Sequence, residues 1–189
     1  FYSANDEDKR RAIHQVLKTR GIKQAFIFVN SKLGCARLAR SLEREGLKTT
    51  ALHGDKSQDE RLKALNAFKA GEVDLLVATD VAARGLDIAG LEAVLNVDIS
   101  PDPEVHTHRI GRTGRADGSG WAFSLASMDE MGRVGMIEKA GGFESEWKKL
   151  AELTSASSEP LQPPMRTLQI LGGRKEKIRP GDVLGALTK

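Results

Sequence analysis

Ala25-Phe26-Ile27-Phe28-Val29 is a continuous apolar run between polar flanks. A run of this kind, with no alternation, reads as a strand buried on both faces, as in a parallel sheet. Downstream, Asn30-Ser31 can cap a helix over Leu33 to Glu45, with Leu38 and Leu42 on its inner face and Gly46 as its stop. Upstream, Asp6 to Arg20 reads as a charged amphipathic helix that buries Ile13, Val16 and Leu17 and ends at Gly21. The pattern continues along the chain. Thr49 to His53, Asp74 to Ala78, Ala93 to Val97 and Trp121 to Leu125 read as strands. Helices are expected from Ser57 toward Gly71, where Ser57-Gln58-Asp59-Glu60 fits a capping box, and over Met128 to Ala140. Helices alternating with apolar strands imply an α/β fold with crossover connections and an open, mainly parallel sheet.

Composition bounds the rest. At 189 residues, 40% apolar and 29% charged, the chain can bury a proper core beneath a soluble surface. No apolar run reaches the roughly 18 residues that span a bilayer, and no signal-peptide pattern opens the chain. The single Cys35 excludes an internal disulfide and fits a reducing compartment, so a cytoplasmic location is expected. The formal charge of +3 is unevenly placed. From Pro160 onward there are six Lys/Arg and two Asp/Glu, a net +4, which leaves the preceding residues near −1. The texture changes there too. The Ser/Pro-rich 153–164 reads as a linker, after which Thr167 to Ile170 alternates like a strand and Gly181 to Leu187 can form a helix. One strand and half a helix bury too little to stand alone, so a second domain is expected to begin at 165 and remain incomplete at 189.

In open α/β sheets, ligands gather at the carboxyl ends of strands. Three polar clusters are expected at such positions. In the first, His53 to Arg61, a helix N-terminus favours an anion, and Gln58 and Arg61 point the same way. In the second, Ala78 to Ile88, a strand ends in Asp80 and Asp87 around an Arg84-Gly85 turn. The third is His108-Arg109-Ile110-Gly111-Arg112-Thr113-Gly114-Arg115, three arginines at three-residue intervals. A helical turn over Val105 to Arg112 would put Arg109 and Arg112 near one face, with Arg115 on the following loop beside Arg112. Converging guanidiniums suit a polyphosphate, because the planar fork donates bidentate bonds and keeps its charge. Four other features read as structural. Cys35 packs in the core, His14 sits on a helix surface, His106 and His108 are too poor in neighbouring ligands for zinc, and Trp121 and Trp147 are packing residues.

Together, and in this order, the clusters resemble the C-terminal RecA-like domain of DEAD-box ATP-dependent RNA helicases over roughly residues 1–152. Phe26 to Asn30 is similar to motif IV, Gln58-x-x-Arg61 to the QxxR element, Ala78 to Ile88 to motif V and His108 to Arg115 to motif VI. The resemblance implies a three-layer fold of the P-loop NTPase type. It implies that Arg112 and Arg115 are arginine fingers on ATP, and that Asp87, with Gly85, holds the ribose. It implies RNA-backbone contacts at Gly54, Gln58, Arg61 and Thr79, and coupling between domains through His108, Arg109 and Asp80. Asp117 departs from the family pattern, which usually has glycine there. The tail from Met165 is similar to the opening of the RRM-like RNA-binding domain in the DbpA branch. That implies targeting to a hairpin of 23S ribosomal RNA and a role in large-subunit assembly.

The chain contains no G-x-x-x-x-G-K-[ST] and no Asp-Glu-Ala-Asp. It is therefore expected to supply half of a composite site, with Mg2+ and most of the ATP held by an N-terminal RecA-like domain, and to be inactive alone. Its opening on Phe1 without Met fits an excised fragment. Two alternatives stay open: a non-catalytic RNA-binding or protein-docking module on a RecA scaffold, and a DNA helicase of the same superfamily.

Overall fold

The structure, a computed structural model, describes residues 6–114, 119–149 and 167–171. Its elements are α1 (Asp6–Thr19), β1 (Ala25–Val29), α2 (Lys32–Arg44), β2 (Thr49–Leu52), α3 (Gln58–Lys69), β3 (Leu75–Thr79), α4 (Asp80–Ala83) and β4 (Ala93–Asn96). They continue with α5 (Pro103–Ile110), β5 (Trp121–Ala126), a 3-10 turn (Met128–Glu130), α6 (Met131–Gly141), β6 (Glu146–Lys149) and β7 (Thr167–Leu171). The strands form one sheet in the order β2-β3-β1-β4-β5-β7-β6, and every pairing is parallel. β1 lies between β3 and β4, with Ile27 opposite both Val77 and Leu95.

All five residues of β1 are buried, as the unbroken apolar run implies. Successive side chains of a strand point to opposite faces, and the two cores divide accordingly. Ala25, Ile27 and Val29 join Ile13 and Val16 of α1 and Leu42 of α2 on one face. Phe26 and Phe28 join Leu65 and Phe68 of α3 and Ala82 of α4 on the other. Cys35 belongs to the first core, with its Sγ 3.1 Å from the Val77 carbonyl oxygen. Helix starts follow local chemistry. Ser31, rather than Asn30, caps α2 by accepting from Gly34 N, and α3 opens on the expected reciprocal pair of Ser57 and Glu60. Asp102 caps α5 ahead of Pro103.

A buried cluster ties α1 to the far end of the sheet. Lys9 lies on the same stripe as Ile13 and Val16 and is 8% exposed. Its Nζ donates to Val97 O at 2.6 Å and to Glu130 at 3.0 Å, while Glu130 also accepts from Ile99 N and Ser127 N. Burial alone would raise the Glu130 pKa. The Lys9 charge and the two backbone amides outweigh it, so the carboxyl titrates below its ordinary value.

Three sequence expectations need correction. The arginine-bearing helix spans Pro103–Ile110, so Arg112 lies beyond its end rather than in its last turn. The helix expected from Met128 begins as a 3-10 turn and becomes α-helical only at Met131. β6 was not expected, because Glu146-Trp147-Lys148-Lys149 holds one apolar residue and shows no alternation. The strand expected near Thr167 is present as β7. It completes the same sheet, running parallel between β5 and β6 from Ala122↔Thr167 to Ala126↔Leu171. The linker residues, Arg115, Asp117 and the expected helix from Gly181 lie outside the described residues.

Candidate functional site

The second and third polar clusters meet at the carboxyl end of the sheet through one side chain, Arg109, and the first lies apart at the ends of β2 and β3. Arg109 projects from α5 into the protein and is 1% exposed. Its Nε and one terminal nitrogen grip the two Asp80 oxygens at 2.7 and 2.6 Å. The same terminal nitrogen donates to Asn30 Oδ1 at 2.8 Å, and the other donates to Asp98 O at 2.7 Å. The guanidinium also lies 5.3 Å from the Phe28 ring centroid. One planar group therefore joins the carboxyl ends of β1, β3 and β4, a geometry that a fork of fixed donors can satisfy and a point charge cannot. Asp98 adds to the network by accepting from Asn30 N at 2.9 Å. Arg109 and Arg112 thus diverge rather than share a face. His108, next to Arg109, is exposed.

Arg112 is half-buried on the turn after α5, and its Nη1 donates to Ile88 O at 3.2 Å. The backbone repeats the tie. Leu91 N donates to Arg112 O at 3.0 Å, and Thr113 Oγ1 donates to Leu91 O at 2.7 Å. The arginine turn is therefore fastened along residues 88–91, directly after the exposed carboxylate of Asp87. Gly85 precedes Asp87 with φ 78°, a left-handed conformation that turns the chain from α4 toward this carboxylate. Gly120 supports the same turn from below. A Cβ there would collide with Thr113 Oγ1 and Gly114 N, so the start of β5 can lie against the arginine turn only because residue 120 has no side chain. From sequence, Gly120 suggests loop flexibility. Its structural role is close approach.

The second group lies at the ends of β2 and β3. Thr79 is buried and caps α4, with Oγ1 accepting from Ala82 N at 3.4 Å. Gly54 and Gln58 are exposed, and Arg61 Nε donates to Lys56 O at 3.1 Å, holding the loop before α3. The expectation of free amides at this helix N-terminus is only partly met. Glu60 N is taken by Ser57 Oγ and Ser57 N by Glu60. A backbone hydrogen bond from Ser57 leads the causes that hold the Glu60 pKa low. An anion here would depend on Gly54, Gln58 and Arg61 rather than on the helix end alone.

His106 packs one turn before Arg109 and is 1% exposed, with neither ring nitrogen hydrogen-bonded. Burial first, then the Arg109 charge, pushes its pKa down to about 4. Asp98 and Gly120 were not expected as parts of the site, and Asn30, the last residue of the stretch similar to motif IV, was given no role there. The signal for Asn30 was available, since it directly follows the buried strand that fixes the fold. Among the described residues, no group of three or more His, Cys, Asp or Glu could hold a metal ion. No described helix is long and apolar enough to cross a membrane.

Comparison with known proteins supplies the context. The family profile described as "Helicase conserved C-terminal domain" matches residues 8–117. Over the whole chain the sequence is 41% identical to the ATP-dependent RNA helicase DbpA of Escherichia coli strain K12, covering 41% of that protein. It is 38% identical to the ATP-dependent RNA helicase CshA of Listeria monocytogenes over 87% of this chain and 29% of that protein. Among solved structures, the E. coli DEAD-box protein SrmB, bound to regulator of ribonuclease activity A, superposes with a TM-score of 0.69. That match has 29% identity and covers 88% of this chain and 86% of that one. A DEAD box protein from the hyperthermophile Methanococcus jannaschii gives 0.68 at 35% identity over 75% of this chain and 39% of that one. The chain spans less than half the length of these two curated relatives.

Proposed function

Because the chain belongs to the DEAD-box RNA helicases, as their C-terminal RecA-like domain, we propose that it supplies half of a composite, RNA-stimulated ATPase that unwinds short duplexes. The carrying observation is the fastening of Arg112 against Ile88 O, directly after Asp87. Arg112 spends its Nη1 on Ile88 O, so its other donors can meet a phosphate presented from the facing domain. Asp87, exposed on its turn, offers a carboxylate for the ribose hydroxyls. The donor set, a guanidinium and a carboxylate, fits the phosphates and ribose of ATP, and Mg2+ would be held by an N-terminal RecA-like domain of the same protein.

When bound, ATP with Mg2+ brings the phosphoanhydride to be hydrolysed. Arg112, joined by Arg115, would neutralise charge developing on the transferred phosphoryl group. Fingers of this kind are worth about 10³–10⁵ in rate, or roughly 4–7 kcal/mol. Gly54, Gln58, Arg61 and Thr79 would hold the RNA sugar–phosphate backbone, contacts that position without reading bases. Arg109 and Asp80 would act as positioning residues, because nearly all their polar atoms are committed to each other and to the strand ends. His108 is left exposed to meet the other domain. Because β7 pairs within the helicase sheet, the RRM-like domain that the similarity to DbpA suggests would begin after it and direct the enzyme to ribosomal RNA, with the work done in the cytoplasm.

The test is steady-state, RNA-stimulated ATPase of the full-length protein. Arg112→Ala is expected to lower kcat at least about 10³-fold with unchanged thermal stability. The 189-residue chain alone is expected to turn over ATP negligibly. Near-normal turnover by Arg112→Ala would remove the finger assignment. Activity of the isolated chain would remove the composite site.

A further inference from the structure

Arg112 is fastened to residues 88–91, so whatever holds that segment also sets where the arginine stands. Arg112 Nη1 donates to Ile88 O, Leu91 N donates to Arg112 O, and Thr113 Oγ1 donates to Leu91 O. Leu91 and Thr113 pair as an isolated parallel bridge. Packing secures the segment at Ile88, which is buried in the core of Phe26 and Phe28, and partly at Leu91. Between them Ala89 and Gly90 are exposed. A pocket of about 170 Å³ lies between the segment and Leu65, Phe68 and Lys69 of α3. Dispersion contact on that side is therefore incomplete, and polar ties have to complete the hold.

Glu92, the next residue, supplies them. Its carboxylate accepts from Lys23 N at 3.3 Å on each oxygen and from Gln24 N at 3.1 Å on Oε2. Hydrogen bonds to an ionised acceptor are stronger than neutral ones. The receiving backbone is itself fixed. Ala25 N donates to Asp74 O at 3.0 Å, and Gln24 Nε2 donates to Phe68 O at 2.6 Å and Val73 O at 3.0 Å. The carbonyl of Glu92 accepts from Trp121 N at 3.0 Å. One residue therefore joins the entries of β1, β4 and β5, directly beside Leu91. None of the residues assigned to ATP or RNA is among its partners.

Resting on the reading of Arg112 as a finger, we propose that Glu92 is a positioning residue for ATP hydrolysis: its carboxylate pins residues 88–92 to the entry of β1, and that segment holds Arg112 in place. Glu92 touches no reacting atom. Its removal leaves every donor of Arg112 present and lets the turn that carries them shift. A misplacement of about 1 Å can cost up to about 10² in rate. The effect therefore lies below that of deleting the finger, and it falls on kcat, because a charge that develops during phosphoryl transfer is met in the transition state.

The experiment measures RNA-stimulated ATPase of the full-length protein, with thermal unfolding to check that each variant folds. Glu92→Ala is expected to lower kcat about tenfold, with the KM for RNA unchanged. Glu92→Gln keeps an acceptor at the same reach, since Oε2 meets both amides, and should stay within about twofold of native. Glu92→Asp, one methylene shorter, should fall with the alanine variant and replaces it if alanine unfolds the chain. In an Arg112→Ala background, followed by single turnover at excess enzyme, Glu92→Ala should lower the rate no further, because the two residues act as one unit. Native kcat in Glu92→Ala and Glu92→Asp, alongside a large loss in Arg112→Ala, overturns the inference and leaves the finger standing. An undiminished Glu92→Ala loss in the Arg112→Ala background overturns it too, as does a raised KM for RNA at unchanged kcat. Near-normal turnover by Arg112→Ala overturns the finger reading and this inference with it.

Discussion

Replacing Arg109 by Lys keeps the charge and removes the fork, which isolates what the geometry contributes. In the native chain four short donor bonds leave the guanidinium, two to Asp80, one to Asn30 Oδ1 and one to Asp98 O. A lysine ammonium can retain one carboxylate contact but cannot reach the ends of three strands together. Breaking a buried pair costs about 3–5 kcal/mol, and each acceptor left dry costs about 1–3 kcal/mol. The Asp80 side chain is 26% exposed, so water recovers part of the loss and the lower end applies. The expected destabilisation of Arg109→Lys is about 3 kcal/mol, or roughly 6–12 °C in Tm for a domain of this size. Urea unfolding and calorimetry of the chain give both numbers. Asp80→Asn in the Arg109→Lys background should cost less than in the native one, with about 1 kcal/mol or more of coupling. If Arg109→Lys unfolds within about 0.5 kcal/mol of the native protein, the guanidinium does not hold the strand ends and the reasoning fails.

Three further outcomes are expected. Folding depresses the His106 pKa to about 4, so the unfolded chain takes up a proton first as pH falls. Stability is complete above about pH 6.5 and is lost toward pH 4, by about 2.5 kcal/mol at pH 4.5; His106→Phe should remove that part of the acid slope in urea titrations. Burial pushes the Cys35 thiol up to about 11, so a thiol reagent at pH 8 should label it only as fast as the chain opens, and immediate labelling of the native protein would contradict its burial. Gly120→Ala should displace Thr113 and the arginine turn, costing about 1–3 kcal/mol and lowering ATPase in the full protein, whereas Gly132→Ala, with open space around it, should be nearly silent.

What could be read from sequence was whatever hydrophobic patterning encodes. β1 and β3 are buried on both faces and appear as uninterrupted apolar runs, and the Ser57–Glu60 box marks the start of α3 at the residue level. The start of α5 was less legible, because its buried residues are His106 and Arg109, and a polar inner stripe leaves no apolar period to detect. For the same reason, spacing alone could not tell that Arg109 turns inward while Arg112 stays at the surface turn. Lys9 was hidden differently: it looks like one more charge in Asp6 to Arg11, yet it falls on the stripe of Ile13 and Val16. Residue types at motif spacing identified the site, but the identity of the side chain holding it together depended on three strand ends meeting in space.

The position of β1 also has a consequence during synthesis. Both of its partners are made after it. β3 begins at Leu75 and β4 at Ala93, so the most apolar strand has no ladder to join when it emerges. At about 5–20 residues per second, the 50 residues from Ala25 to Leu75 take about 3–10 s. During that interval Ile27 can be covered by α1 and α2, while Phe26 and Phe28 wait for α3 and α4, and two nascent chains on one messenger present the same adhesive segment to each other. Slower translation of residues 46–75 would lengthen that exposure and favour aggregation over folding, independently of the stability of the finished domain.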